Sequence, residues 1–172
     1  MARISNTTAY SSIIPTLPDY FVLTDAENNL NTKTCTLENL QTLFGLNTTS
    51  VTIAIPETYL KVIAAQPYTL LAPPGDGYVY DVSQIVSLMI PGSTPYNFVN
   101  TLNITQGTIQ EPLPLLLLNA ASKKVYKNDP SPAEFIAENA GITLGGFASP
   151  SAGNGTLYIN ITYRKLKLDS TF

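Results

Sequence analysis

Gly155-Thr156-Leu157-Tyr158-Ile159-Asn160-Ile161-Thr162-Tyr163-Arg164 carries the clearest structural signal in this chain. Leu157, Ile159, Ile161 and Tyr163 fall on one side of an extended backbone, and Tyr158, Asn160, Thr162 and Arg164 fall on the other. Successive side chains of a strand point to opposite faces, so this is a strand with one face on a core and one face on polar surroundings. Leu166 and Leu168 break that parity, which predicts a bulge near Arg164-Lys165.

The same pattern recurs upstream in shorter pieces. Val51, Ile53 and Ile55 alternate before Pro56, and strands are expected at Tyr68 to Leu71, Tyr78 to Val82, Ile85 to Ile90, Phe98 to Thr105, Leu113 to Leu118 and Ile142 to Phe147. Turn chemistry separates them, most clearly at Ala72-Pro73-Pro74-Gly75-Asp76-Gly77. Six to nine short strands with turns between them predict a mainly β fold, an antiparallel β-sandwich or jelly roll. One helix is expected at 132–139, where Ser131-Pro132-Ala133-Glu134 combines an N-cap, a proline at the first helical position and a capping glutamate.

The N-terminal part reads differently. Residues 1 to about 18 have no sustained period and read as an extended arm. Tyr20 to Thr24 and Thr32 to Thr36 form a predicted hairpin around the polar Asp25–Asn31 turn. Thr36 then caps a short helix with Leu37, Leu40, Leu43 and Phe44 on one face and Gly45 at its end. This unit has too little core to stand without packing on something else. The expected division is an arm and attachment unit at 1–46 and a sandwich domain at 47–172.

Composition bounds the chemistry. The 172 residues include no histidine, no tryptophan and one cysteine, Cys35. That excludes Ser-His-Asp and Cys-His catalysis, His-ligated metals, an internal disulfide and thiolate-clustered sites. Nine Lys+Arg against twelve Asp+Glu leave a net charge of −3, with no strong pull on nucleic acid or anionic membrane. Only 12% of residues are charged, about half the usual ~25%. A neutral Thr/Asn/Ser surface of that kind suits a protein held in an assembly or facing the exterior. No secretory segment follows Met1, and the Leu113–Leu118 run is far short of the ~18 apolar residues a span needs.

The carboxylates are the remaining acid/base candidates. Glu57, Asp81 and Glu111 flank predicted strands, but nothing in the sequence pairs them as a glycosidase requires. Asp25, Glu27, Asn29 and Asn31 alternate like half a calcium loop, yet Leu30 and Thr36 stand where a glycine and a bidentate acid belong, so a hairpin turn accounts for them better. Five Asn-x-Thr sites begin at Asn6, Asn47, Asn103, Asn154 and Asn160, as expected by chance in a threonine-rich chain. The lysines of 123–127 and the Arg164-Lys165-Lys167 cluster read as charges that discourage sheet-edge pairing. Eight of the ten tyrosines lie in the β portion, a set that fits an oligomeric or docking surface. No cofactor or metal is expected.

The segments Asp19-Tyr20-Phe21-Val22-Leu23-Thr24-Asp25 and Asn31-Thr32-Lys33-Thr34-Cys35-Thr36-Leu37-Glu38-Asn39-Leu40 resemble an N-terminal module of small virion proteins from tailed bacteriophages. Val51-Thr52-Ile53, Tyr68 to Tyr78 and Gly155 to Arg164 are similar to β-sandwich proteins of phage particles. The resemblance implies a non-enzymatic virion protein, a capsid decoration, cement or head-fibre component. It implies a homo-oligomer, a trimer, docked on the major capsid protein or another virion protein, with no nucleic-acid or membrane partner. Docking would use Phe21, Leu23, Leu37, Leu40 and Phe44. Such a protein is made in the bacterial cytoplasm and incorporated in the virion. The alternative is a tail or fibre adhesin that binds a host receptor or glycan through tyrosine-lined loops.

Overall fold

The structure is a computed structural model that describes residues 20–25, 31–37, 40, 48–128 and 137–169. The chain divides into two compact units, Met1–Asn47 and Thr48–Phe172. In the first, β1 (Tyr20–Asp25) pairs antiparallel with β2 (Asn31–Thr36), from Tyr20↔Thr36 to Asp25↔Asn31. Five residues join the strands, so the polar stretch does close a hairpin. The helix expected after Thr36 falls mostly outside the described residues, as does the arm.

The second unit is a β-sandwich of two four-stranded antiparallel sheets. One sheet orders β3 (Thr49–Ile55), β10 (Gly155–Lys167), β5 (Tyr78–Pro91) and β8 (Lys124–Asn128). The other orders β4 (Tyr68–Leu71), β9 (Ile142–Gly146), β6 (Leu102–Gln106) and β7 (Ile109–Leu113). The hydrogen-bonded pairs include first with last, second with seventh, third with sixth and fourth with fifth strand of this unit. That is one long hairpin rolled up on itself, the jelly-roll arrangement. Leu157, Ile159 and Ile161 of β10 are fully buried, and they join Ile55, Ile85 and Met89 from their own sheet and Leu70, Leu102, Ile104, Leu113, Ile142 and Leu144 from the other in one core.

β10 is the spine of this fold because it pairs on both sides, Ile159 opposite Ile53 of β3 and Ser87 of β5. The bulge lies elsewhere than expected. Thr162 pairs with Gln84 and Tyr163 with Val82, so the extra residue is Ser83 on β5, and its hydroxyl donates to the Thr162 carbonyl at 3.1 Å. The inward set of β5 switches there from Ile85, Ser87 and Met89 to Val82 and Tyr80. Leu166 changes parity because it faces the other side of the sheet, opposite the buried Val79.

Three sequence expectations are corrected. Tyr78 to Val82 and Ile85 to Ile90 belong to one strand of 14 residues, Tyr78–Pro91, since the bulge at Ser83 lets it bend without breaking. Leu115–Leu118 is a single helical turn, α2, not a strand: leucines, not branched at Cβ, accept helix readily, and the Pro114 carbonyl accepts the Leu117 amide at 2.9 Å, burying Leu117 and Leu118. The strand expected from Phe98 begins only at Leu102. Phe98 is instead held by the Asn119 side chain, whose amide group bonds both its N–H (2.7 Å) and its carbonyl (2.8 Å) in the manner of a strand neighbour. A short helix unforeseen in the sequence, α1 (Glu57–Leu60), follows Pro56. Of the helix expected at 132–139, residues 137–139 are described and are not helical, Asn139 having φ 51°.

The core holds one polar misfit. Ser87 is fully buried, and its hydroxyl has no hydrogen-bond partner among the described residues. An orphaned buried hydroxyl costs about 1–3 kcal/mol of desolvation. Ser87→Ala is therefore expected to raise stability by about 1 kcal/mol, read from the urea midpoint. A loss of stability would show that the hydroxyl is satisfied.

Candidate functional site

The residues expected to dock are placed as follows. Phe21 and Leu23 stand two apart on β1, in register with Cys35 and Lys33 of β2. Leu37 and Leu40 are half-buried, and Phe44 lies outside the described residues.

The three candidate acids are not brought together. Glu57 sits in α1 and pairs with Lys61 one turn on. Asp81, on β5, pairs with Arg164 of β10, whose Nε donates to Oδ2 at 3.0 Å. Glu111, on β7 of the other sheet, accepts from the Asn128 amide. Each serves a local structural contact. Among the described residues no group of three or more acidic or cysteine side chains is placed to hold a metal ion, and no helix is long and apolar enough to cross a membrane.

Of the lysines expected on sheet edges, those of β8 lie on one, whereas Lys165 and Lys167 lie on the central strand β10. Lys124 and Lys127 lie on β8, an edge strand, and β3 pairs β10 only as far as Tyr163, leaving Arg164–Lys167 paired with β5. Lys165 places its ammonium 4.3 Å from the Tyr78 ring centre.

The described tyrosines range from the buried Tyr96 to Tyr59, which is 45% exposed. Tyr68, Tyr80, Tyr126 and Tyr163 pack against the rim of the core. Tyr80 meets Tyr163 edge-on with ring centres 4.9 Å apart, as Tyr59 meets Tyr68. Tyr96 is buried beside Phe98 and donates to the Gly155 carbonyl at 3.0 Å. Burial, with the Glu57 charge adding to it, pushes the Tyr96 phenol up to about 12. It therefore keeps its proton, and its hydrogen bond, at any physiological pH.

The structure shows a concave site that the sequence did not single out. It lies on the outer face of the β4-β9-β6-β7 sheet and has a volume of about 220 Å³. Its lining is Pro67, Asn103, Thr105, Gln110, Thr143, Gly145, Gly146 and Phe147. The register explains the arrangement. Thr143 opposes Thr105, which opposes Gln110; Gly145 opposes Asn103. Inward neighbours on the same strands are Leu102, Ile104, Ile142 and Leu144, all buried, so alternation forces the polar set outward. Asn103 donates to the Gln110 side-chain carbonyl at 3.2 Å, which fixes both amides. Phe147, at the end of β9, is 86% exposed, the most exposed large apolar side chain among the described residues. A Cβ on Gly145 would come no closer than 3.5 Å to Pro67, so its missing side chain is what leaves the floor low. The alternation of Asn103 and Thr105 was visible in the sequence. That they share a surface with residues 143–147 depends on strand pairing, which was not. Compared with known proteins, the chain matches no family model, no curated protein and no solved structure.

Proposed function

We propose that this chain is a non-enzymatic structural protein of a tailed-bacteriophage particle, capsid-associated as a decoration, cement or head-fibre component. It docks through residues 1–46 and displays the jelly roll as a homotrimer. The observation that carries the reading is the jelly-roll strand order of the second unit, an arrangement that viral capsid domains share with lectins and cupins. The local engagement of Glu57, Asp81 and Glu111 supports a structural role over catalysis. Exposed apolar residues on the jelly roll, among them Leu116 at 77% and Val125 at 61%, are where copies of the chain would cover one another. Synthesis is in the bacterial cytoplasm, with incorporation in the virion.

The test uses particles lacking this protein. The full chain should decorate them, while the Leu37→Asp/Leu40→Asp variant should lose at least ~100-fold in affinity, about 3 kcal/mol, with the β circular dichroism unchanged. Undiminished decoration by that variant would remove the attachment assignment. Light scattering should give the mass of three 18.6 kDa chains. Copy number separates the adhesin alternative: hundreds per particle place the protein on the head, roughly six to eighteen on the tail.

A further inference from the structure

The groove on the β4-β9-β6-β7 sheet has a definite chemical character. None of its eight lining residues is charged. A phosphate or sulfate ester would be met by arginine or lysine, and a cationic ligand by carboxylates or an aromatic cage. Here the polar groups are two amides, Asn103 and Gln110, and two hydroxyls, Thr105 and Thr143. Together they offer donors and acceptors in mixed array. The Asn103–Gln110 bond leaves Asn103 an acceptor oxygen and Gln110 two donor hydrogens to present. A ligand complementary to that set is neutral and carries several groups that both donate and accept. Adjacent strands set these side chains ~5 Å apart, comparable to the separation of hydroxyls across one pyranose ring.

The apolar part of the site fits the same ligand. Phe147 and Pro67 form the wall beside the polar rows, and the bare Gly145 lowers the floor between them. An aromatic face packs well on the C–H face of a sugar ring while the edges of the ring reach polar partners. The cavity, about 220 Å³, is smaller than a drug-sized site and suits a single ring.

We infer that this groove binds one ring of a neutral saccharide, with Phe147 as the stacking surface, Gly145 as the space the ring occupies, and Asn103, Thr105, Gln110 and Thr143 as its hydrogen-bonding partners. The site is a sheet face, distinct from the tyrosine-lined loops that the adhesin reading invoked. It does not rest on the attachment reading, because the isolated protein should show it.

The experiment is titration of the ¹⁵N-labelled full chain with glucose, galactose, mannose and N-acetylglucosamine, followed by amide shifts. A ligand of ~12 non-hydrogen atoms in an open groove supports a dissociation constant of about 1 mM or weaker. At least one of these sugars should shift the amides of residues 103–110 and 143–147 with saturation. Phe147→Ala, at an exposed position, and Gly145→Leu, which fills the floor, should each weaken that binding at least tenfold with the melting temperature unchanged. Glucuronic acid should bind no tighter than glucose. Absence of saturable shifts for all four sugars would overturn the proposal, as would binding that survives both variants. Concentration-dependent shifts of the same amides without sugar would also overturn it, since they would assign the groove to a second copy of the chain.

Discussion

Ile159→Ala is expected to cost the jelly roll about 4 kcal/mol, towards the upper end of the 2–5 kcal/mol seen for such truncations. Ile159 has no exposed surface and sits on β10 between Ile53 and Ser87, with Leu102 and Leu144 of the facing sheet in the same core. The size of the loss depends on whether neighbours can move into the space. β10 is hydrogen-bonded on both sides over residues 157–163, so the backbone has no freedom to close the gap. Near-ultraviolet dichroism of the tyrosines should report the transition, and the melting temperature should drop on the order of 10–20 °C. Ile53→Ala makes the control. Ile53 is half-buried on the edge strand β3, and about 1–2 kcal/mol is expected there. Equal losses at the two sites would mean that β10 is not the central strand.

Gly153→Ala should be similarly severe, about 3 kcal/mol or more, for a reason unrelated to burial. Gly153 has φ +114°, where a side chain is strained, and a Cβ there would lie 2.4 Å from the Tyr96 Cα. The obstacle is backbone, so no rotamer change relieves it. The surrounding loop is tightly tied. The Asn154 side-chain oxygen accepts from Thr94 N at 2.7 Å, the Asn154 backbone N–H donates to the Thr94 carbonyl at 2.8 Å, and the Asn154 backbone carbonyl accepts from Gly92 N at 2.8 Å. Displacing Tyr96 would also break its bond to Gly155. Gly145→Ala gives the contrast: its Cβ meets only Pro67, at 3.5 Å, and its φ is ordinary. That change should be neutral or stabilising by a few tenths of a kcal/mol. Tolerance of alanine at 153 would show that the 92–98 and 151–155 loops do not clamp one another.

These two sites also mark how far the sequence could be read. The role of Ile159 follows from the alternation of residues 157–163 alone. The clash that makes Gly153 strict could not be read locally, since the obstacle is Tyr96, 57 positions away. The same holds for Leu115–Leu118. A run of leucines has no period to separate a buried strand from a buried turn, and Pro114 with the neighbouring strands settled it.

From its sequence this protein was already a β chain of alternating faces, without histidine chemistry, with a short hairpin unit ahead of a sandwich. Those properties are set by residues one or two positions apart, where the strand period and turn chemistry act directly. The rolled pairing of first strand with last, the bulge at Ser83 and the groove beside Phe147 came only with tertiary structure. Each joins residues far apart in the chain, as Ser50 joins Asn160 through a 3.1 Å hydrogen bond. Such partners are selected because one packing buries both apolar faces at once, a condition on the whole domain that no single stretch of residues carries.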